Sequence, residues 1–383
     1  MASHPIRTVA VIGAGDMGHG IAEVALIAGF RVHVQDMNQD AVDRGKSRID
    51  QSLLKLREKG KVTPELFERI QRELIHTTTE LKTAVADADL VIEAIPEVMS
   101  LKRQCFEQID QYTPSHALLA SNTSTMRITE IASATRRPEQ VLGLHFFNPA
   151  VLMRLVEVIR GDSTGPEAID SAYAFCQACG KIPVVVRKDV PGFIVNRVQA
   201  PSGVLLSCLA DEGRIEPEGI DSVMRNLGMP MGPFELFDYT GLDINVNAMK
   251  YFAEAVHPDF SPGTVLSRMV DEGHLGKKTG RGFFDWTQGR PAIDLGKSAA
   301  GFDPLDLLAV NANEAAKLIE MDVCSAEDVD LAIVNGSGNT VGPMTLIRSI
   351  EPEELCNRLN GLSDRYGKEI FRPARLIREG GYR

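Results

Sequence analysis

Two groups of residues in this 383-residue chain have types and spacings suited to chemistry. The first group contains Gly13, Gly15, Asp16, Met17 and Gly18 in the segment GAGDMG, which has the G-x-G-x-x-G spacing. The segment follows an apolar run and opens a helical pattern, and in that context a glycine loop holds the pyrophosphate of a dinucleotide at a helix N-terminus. The alternative is a glycine turn that binds no nucleotide.

The acidic residue Asp36 distinguishes between the two common nicotinamide dinucleotides. It closes the second apolar run, where a carboxylate accepts hydrogen bonds from both ribose hydroxyls of NAD. The same carboxylate repels the 2′-phosphate of NADP. The sequence therefore predicts NAD as the cofactor.

The second group is a histidine and a glutamate twelve residues apart. His145 ends one apolar run, and Glu157 lies inside another, LVEVI. A carboxylate among aliphatic side chains is costly to bury unless it is paired. A histidine partner would satisfy the carboxylate, which in turn would hold the imidazole in one tautomer, as in a catalytic triad. Spacing alone leaves a satisfied core histidine as the alternative to an acid–base pair.

The elements that position these residues alternate between short apolar runs and helical patterns over the first 185 or so residues. That alternation predicts an α/β fold, a Rossmann-type doubly wound parallel sheet. The predicted strands are Thr8–Ile12, Arg31–Gln35, Leu90–Ala94, Ala117–Ala120, Val141–Phe146, Leu155–Arg160 and Pro183–Arg187. After residue 190 the β-branched runs largely stop, which predicts an all-α C-terminal region.

The helical region contains one sequence unit twice. Asp221 and Asp330 are 109 residues apart, and the pairs Gly232-Pro233 and Gly342-Pro343 are 110 apart. This register predicts two tandem helical units. The expected domains are a dinucleotide-binding domain over 1–188, a first helical domain over 189–286, a Gly-, Pro- and Ala-rich linker over 287–304 and a second helical domain over 305–383.

The charge of the chain is unevenly distributed. The formal net charge is −11, which argues against a nucleic-acid partner because phosphate neutralisation needs a basic face. Between Arg44 and Arg72, however, nine basic and four acidic residues give a net charge of +5, so the remainder carries −16. This segment predicts a basic helical hairpin, 40–75, inserted into the first domain. A solvated helix face is the alternative interpretation.

Composition also bears on location and metal binding. Every window of about 18 residues contains charges, so no membrane span is expected. The N-terminus enters a strand-like run at once and leaves no apolar secretory segment, which predicts a cytoplasmic protein with reduced thiols. Cys176 and Cys179 form a C-x-x-C, but they lie in a helical pattern without a second pair, so a buried helix pair is preferred over redox chemistry or a metal site.

Several segments, in order along nearly the whole chain, resemble the NAD-dependent L-3-hydroxyacyl-CoA dehydrogenase family, including 3-hydroxybutyryl-CoA dehydrogenases. The resembling segments are GAGDMGHGIA from Gly13, VIEAIPE from Val91, SNTS from Ser121, HFFNP from His145, Glu157, PGFIVNR from Pro191, MGPFEL from Met231 and GKKTGRGF from Gly276. The second helical unit resembles the tandem units of multifunctional β-oxidation proteins. The resemblance implies reversible oxidation of an (S)-3-hydroxyacyl-CoA to the 3-ketoacyl-CoA.

The resemblance also implies roles for individual residues. His145 would be the general base, Glu157 would orient it, Ser124 would bind the substrate's 3-oxygen, and Asn196 would lie near the acyl group. The positions that match nicotinamide-ribose contacts are Glu97, Lys102, Ser124, Asn148 and Lys278, and those that match coenzyme A contacts are Ser52, Lys59 and Ser124. Less specific interpretations are a turn hydroxyl for Ser124, a polar helix start for Asn196 and a solvated loop for Lys278.

Other interpretations remain open from the sequence. Leu152 stands where the family commonly has proline, which leaves the acyl-chain preference undetermined. A rival function is oxidation of a free hydroxy acid or sugar acid, as in gulonate dehydrogenase and crystallin-type relatives. A rival of another class is a nucleotide-binding scaffold without catalysis. For assembly, the duplication predicts either a monomer in which the two helical units form an internal pseudo-dimer, or a homodimer.

Overall fold

The computed structural model describes residues 5–383, so the first four residues of the predicted first domain lie outside the described part. An eight-stranded sheet with strand order β3-β2-β1-β4-β5-β6-β7-β8 forms its centre, and all neighbouring strands are parallel except β6 and β7. The strands are β1 Thr8–Ile12, β2 Arg31–Gln35, β3 Ile75–Thr78, β4 Leu90–Glu93, β5 Leu118–Ser121, β6 Val141–Phe146, β7 Leu155–Ile159 and β8 Ile182–Val186. The predicted doubly wound sheet is confirmed.

One strand, β3, is absent from the sequence prediction. Its sequence is IHTT, with only one buried residue, and it pairs with β2 at the edge of the sheet. Because an edge strand needs little apolar surface, its sequence lacks the continuous apolar run that identifies the central strands.

Seventeen α-helices accompany the sheet and form the C-terminal region. They are α1 Gly18–Ile27, α2 Gln39–Glu58, α3 Pro64–Arg69, α4 Leu81–Val85, α5 Met99–Tyr112, α6 Ile128–Ala132, α7 Pro166–Ala178, α8 Val195–Glu212, α9 Pro217–Asn226, α10 Pro233–Thr240, α11 Leu242–Ala255, α12 Thr264–Asp271, α13 Pro304–Glu320, α14 Ala326–Ser337, α15 Pro343–Ile347, α16 Pro352–Tyr366 and α17 Arg375–Arg378. A π-helical turn, Ile70–Leu74, follows α3, and 3-10 turns cover Pro138–Gln140, Pro258–Phe260, Lys277–Thr279 and Glu369–Phe371.

The basic segment forms α2 and α3. Asn38 and Thr63 cap the two helices through their side-chain oxygens, and Pro64 occupies the first position of α3. These are the residue types that a helix N-terminus favours, because the caps satisfy amides without helical partners and proline lacks one of those amides.

The chain divides into two compact units. The first contains the sheet and residues 322–340, and the second contains residues 195–321 and 341–383. This division differs from the predicted domains, in which the whole of 305–383 formed one helical domain. The physical reason is that α14 packs on β7 and β8 of the sheet rather than only on other helices.

The helices repeat with the predicted offset. Four pairs of helices begin 109 or 110 residues apart: α8 and α13, α9 and α14, α10 and α15, and α11 and α16. Within the second unit, α8 packs on its counterpart α13. Arg197 Nε donates to Glu314 Oε1 at 2.6 Å in that contact, and the Ser202 hydroxyl donates to Asn311.

Residues 287–303 form no helix or strand, and Pro304 begins α13; the segment lies against α9 and α10. Arg290 pairs with Glu235, and Lys297 pairs with Glu216 and Glu218. A Cβ at Gly219 of α9 would lie 2.7 Å from the carbonyl oxygen of Ser298, so this glycine permits close contact. The predicted linker is thus an ordered segment of the second unit.

No helix within residues 5–383 is both long enough and apolar enough to cross a membrane. All six cysteines are free thiols. Cys176 lies on α7, and Cys179 caps the C-terminal end of that helix. Burial raises the pKa of the Cys179 thiol to about 12, so it is protonated at neutral pH.

Candidate active site

The glycine loop joins β1 to α1 at the point where the chain order of the sheet reverses. Gly13 has φ +98° and donates its amide to the Gln35 carbonyl at 2.8 Å. A Cβ at Gly18 would lie 1.7 Å from the Gly13 carbonyl oxygen, whereas nothing lies within 4 Å of a Cβ position at Gly15. The loop therefore requires glycine for its turn and its packing, and it leaves open backbone at Gly15 for a ligand.

Asp36 lies beside this loop, as predicted. Its Oδ2 accepts a hydrogen bond from the Ala14 amide at 2.8 Å, and its Oδ1 accepts one from the Met37 amide at 2.7 Å. A carboxylate accepts about four hydrogen bonds, so capacity remains for ribose hydroxyls. The residues present therefore fit the adenosine half of NAD.

The other predicted loop residues have additional contacts. Asp16 is exposed and forms a 2.6 Å ion pair with Arg48 of α2, while Met17 is half-buried at the N-cap of α1. A Cβ at Gly45 of α2 would lie 2.7 Å from the Ala14 Cβ. The basic helix α2 therefore packs directly on the dinucleotide loop.

His145 and Glu157 are cross-strand partners on the antiparallel strands β6 and β7. The His145 Nδ1 lies 2.6 Å from Glu157 Oε2, and Glu157 Oε1 accepts the Ile194 amide at 3.0 Å. Glu157 is fully buried, and the imidazole lies next to the rings of Phe147 and Phe193. The pair fixes Nδ1 and leaves Nε2 as the nitrogen that can exchange a proton with a substrate.

The turn after β5 carries Ser124 to the same edge of the sheet. Asn122, which precedes Ser124 in this turn, accepts the Phe146 amide at 2.8 Å through Oδ1. The Ser124 amide donates to Glu97 Oε1 at 3.0 Å. Since Phe146 follows His145, Asn122 ties the Ser124 turn to the strand that carries the histidine.

A buried charge cluster of Glu93, Lys102 and Glu97 supports that turn. Lys102 is almost fully buried and binds Glu93 Oε1 at 2.7 Å and Glu97 Oε2 at 3.2 Å. The Ser121 hydroxyl donates to Glu93 Oε2 at 2.7 Å. The cluster therefore joins the ends of β4 and β5 to the loop that precedes α5.

The Glu97 carboxylate is held in its charged form. Burial alone would raise the pKa of Glu97, but the Lys102 ammonium and donors from Thr123 and Ser124 keep that pKa below its ordinary value. A carboxylate in this position can accept hydrogen bonds from a ribose. Because Lys102 is enclosed by the two carboxylates, its present contacts are to Glu97 and Glu93.

The remaining predicted site residues are divided between the two units. Asn148 is exposed just after β6 in the first unit. In the second unit, Asn196 is the second residue of α8, and Lys278 forms an ion pair with Asp243 at 2.5 Å. The structure brings together His145, Glu157, Ser124, Glu97 and Lys102 at one edge of the sheet.

Comparisons with known proteins match this chain over most of its length. Family models for the 3-hydroxyacyl-CoA dehydrogenase NAD binding domain and C-terminal domain match residues 8–190 and 192–286. A probable 3-hydroxybutyryl-CoA dehydrogenase of Deinococcus radiodurans is 44% identical over 72% of this chain and 99% of that protein. The chain belongs to the 3-hydroxyacyl-CoA dehydrogenase family. It is an NAD-dependent oxidoreductase of that family.

Two further relatives span almost the whole chain. The 3-hydroxyadipyl-CoA dehydrogenase of Escherichia coli is 32% identical over 98% of this chain and 97% of that protein. The crystal structure of 3-hydroxybutyryl-CoA dehydrogenase from Escherichia coli superposes with a TM-score of 0.90 at 30% identity, covering 99% of this chain and 100% of that one. The two-copy arrangement is therefore shared within the 3-hydroxyacyl-CoA dehydrogenase family.

Two of the three predicted coenzyme A contacts, Ser52 and Lys59, lie on the basic helix α2 and at its C-cap. Lys59 is exposed at the C-cap of α2, whereas Ser52 is half-buried and hydrogen-bonds Glu23 of α1. Burial raises the pKa of Glu23 to about 7, and Glu23 Oε1 has no hydrogen-bond partner within the described residues. The Lys59 side chain is therefore accessible to a ligand, whereas the Ser52 side chain is already hydrogen-bonded within the protein.

Three residues of the site were absent from the sequence-predicted set. Glu93 and Asn122 hold the Ser124 turn, and Lys181 donates to the carbonyls of Ala150 and Met153 in the loop that carries Leu152. Glu93 could have been found by the reasoning applied to Glu157, because it also lies in an apolar run, Leu90–Ala94. Asn122 and Lys181 act through backbone contacts that their local sequences do not indicate.

Proposed function

We propose that the chain catalyses reversible oxidation of (S)-3-hydroxyacyl-CoA thioesters to 3-ketoacyl-CoA, with His145 and Glu157 as the acid–base pair. The observation that carries this proposal is the 2.6 Å contact between His145 Nδ1 and a fully buried Glu157, on the sheet whose glycine loop fits NAD. NAD, when bound, accepts the hydride that leaves the substrate's C3.

His145 acts on the 3-hydroxyl proton. Its Nε2 takes that proton as the C3–H bond breaks, and the Glu157 carboxylate stabilises the resulting imidazolium. In the reverse direction His145 returns the proton to the 3-oxygen. Ser124 hydrogen-bonds this oxygen, and Asn196 lies near the acyl group.

The proposed NAD contacts form two sets, one for the pyrophosphate and the adenosine ribose and one for the nicotinamide ribose. Gly13, Gly15, Asp16, Met17 and Gly18 contact the pyrophosphate, and Asp36 binds the adenosine ribose. Glu97, Lys102, Ser124, Asn148 and Lys278 surround the nicotinamide ribose. Glu97 is the best supported of the second set, because its carboxylate is held charged next to the Ser124 turn.

The coenzyme A tail binds along the basic segment, with Lys59 and Ser52 as contacts. The support is the net charge of +5 between Arg44 and Arg72, which suits a ligand with several phosphates. A free hydroxy acid would not need a basic surface away from its reacting carbon. This difference favours the thioester over the free-acid rival.

The test measures NADH oxidation with acetoacetyl-CoA or free acetoacetate, and NAD reduction with a free sugar acid, in separate assays. We expect turnover with the thioester and at least a 100-fold lower kcat/KM with either free acid, in line with about 3 kcal/mol of lost binding. Activity restricted to a free acid would overturn the substrate assignment. No activity with any of them would support the non-catalytic scaffold.

For assembly and location, we propose a cytoplasmic monomer with an internal pseudo-dimer. The packing of α8 on α13 supports this arrangement, because the two equivalent helices cover each other within one chain. Sedimentation should give a mass near 41.8 kDa. Twice that mass would favour the homodimer instead.

A further inference from the structure

Residues 322–340 belong to the second helical copy by sequence but to the sheet unit by structure. The matched family models end at residue 286, so the segment lies beyond the regions that they describe. Its helix, α14, begins with a capping box in which Ser325 and Asp328 exchange hydrogen bonds of 3.1 and 3.0 Å. The segment therefore has a defined start where it meets the sheet.

The segment is attached to the sheet through Arg187, the residue after β8. The Arg187 amide donates to the Val323 carbonyl at 2.8 Å. Its guanidinium pairs with Asp322 at 3.1 Å and with Asp328 at 3.4 Å. Both the backbone and the side chain of Arg187 thus hold the start of α14.

The apolar side of the segment is buried. Five residues on it are at most 2% exposed: Val323, Cys324, Val329, Ala332 and Ile333. They lie against β7 and β8, the two strands on which α14 packs. The contact is therefore part of the core of the first unit.

The face of β7 that this segment covers is the one that carries Glu157. Side chains alternate along a strand, so Glu157 lies on the face opposite to Val156 and Val158. Val156 and Val158 belong to the same apolar cluster as Ala172 and Phe175 of α7, which covers their face. The segment 322–340 lies on the other face, where Cys324 is buried; burial, with nearby charges that include Glu157, raises the pKa of this thiol.

The equivalent helix of the first copy, α9, belongs to the second unit, whereas α14 belongs to the first. At the offset of 109 residues, Leu227, the C-cap of α9, corresponds to Gly336 of α14. Leu227 is 66% exposed, whereas Gly336 is buried. The two copies therefore differ in exposure at this position.

We propose that residues 322–340 form a positioning segment for the acid–base pair, which excludes water from the buried side of Glu157. The inference rests on the proposed role of His145 and Glu157. A carboxylate in a dry environment interacts more strongly with its hydrogen-bond partner than one that water also solvates. The segment thereby directs the Glu157 carboxylate to the His145 imidazole.

The test uses Cys324→Ser in the full chain, which places a hydroxyl donor in the buried contact on the face of β7 that carries Glu157. The charged groups that influence position 324 are Asp328, Arg187, Glu157 and Asp322. A serine hydrogen bond to Glu157 would compete with His145. We expect kcat to fall about 3- to 10-fold, the effect of one competing hydrogen bond. The acidic limb of the kcat/KM–pH profile should shift, and NAD affinity by fluorescence titration should stay within about twofold.

The matched control is Cys208→Ser, the same change at a half-buried thiol on α8 of the second unit. It should leave both kcat and the pH profile unchanged. Cys324→Ala places no hydrogen-bonding group at this position, so its kcat should lie within about threefold of the parent value. Equal loss in both serine variants, or an unshifted profile in Cys324→Ser, would overturn the inference.

A surface variant covers the case in which Cys324→Ser fails to fold. Arg187→Gln removes the partly exposed guanidinium that pairs with Asp322 and Asp328. We expect the same shift of the pH profile as in Cys324→Ser, with a smaller loss of kcat. An unshifted profile in this variant contradicts the inference. The proposed function is tested separately by His145→Gln, whose failure to lower turnover would remove the acid–base role itself.

Discussion

Two buried carboxylates, Glu157 on β7 and Glu93 on β4, are each paired with a basic side chain. The partner of Glu157 is an imidazole, whereas the partner of Glu93 is the ammonium of Lys102. An imidazole ordinarily titrates near neutral pH, and an ammonium ordinarily does so well above it. The first pair is therefore suited to move a proton, and the second is suited to hold a structure.

The surroundings of the two pairs also suit these different roles. The His145–Glu157 pair has one ring nitrogen left for a substrate. The Glu93–Lys102 pair is closed on all sides by Glu97, Ser121 and the loop after β4. Burial of a carboxylate is costly in both pairs. The basic partner therefore determines whether the buried pair can move a proton or holds the structure.

The largest effect should come from His145→Gln, which removes the titratable partner. We expect turnover to fall roughly 10²–10⁴-fold, the usual contribution of a general base. Because the Glu93 cluster stays intact, NAD affinity measured by fluorescence titration should remain within about threefold. Turnover close to that of the parent enzyme would show that His145 is not the base.

The next effect should come from Glu93→Gln, which breaks the closed cluster. A glutamine cannot balance the Lys102 charge, so we expect about 3 kcal/mol lower unfolding free energy in chemical denaturation. The Ser124 turn should loosen and raise the KM for NAD about tenfold, while the pH profile of kcat stays in place. The control is Glu107→Gln, an exposed position on α5, the helix that carries Lys102. A shifted pH profile in Glu93→Gln would assign this cluster a share in proton transfer.

The smallest effect should come from Glu23→Gln, at another buried carboxyl, which has no basic partner among residues 5–383. Since burial raises the pKa of Glu23 to about 7, the folded state binds its proton more tightly than the unfolded chain. Its contribution to stability is present below about pH 4.5 and is lost as pH rises to about 7. Glutamine does not ionise, so the variant should gain about 2 kcal/mol relative to the parent between pH 5 and pH 8. Chemical denaturation of the parent and the variant at pH 5 and at pH 8 measures this gain, with the exposed Glu58→Gln as the control. An equal gain in unfolding free energy at the two pH values would show that ionisation of Glu23 is not its cause.

The parts of the site that the sequence predicts are those whose chemistry lies within one motif. The glycine loop with Asp36 and the strand positions of His145 and Glu157 follow from apolar runs and the residues that end them. The contact between His145 and Glu157 follows from the cost of burying an unpaired acid. The central strands of the sheet were predicted for the same local reason.

The parts that the sequence does not predict depend on contacts between distant segments. The edge strand β3 has too few apolar residues to be recognised. Asn122 matters because its side chain reaches the Phe146 amide, and Lys102 because the fold encloses it between two carboxylates. The placement of α14 on the sheet likewise depends on Arg187, which lies 141 residues from Asp328.

The ordered segment 287–304 affects how the second helical copy reaches its place. A free tether of this length would let the copy explore a large volume, and its local concentration would depend on random-coil statistics. Here Arg290 pairs with Glu235 of α10, and Lys297 pairs with Glu216 and Glu218 at the start of α9. These ion pairs restrict the volume that α13 can sample, so its effective concentration next to α8 exceeds that of a helix on a free tether.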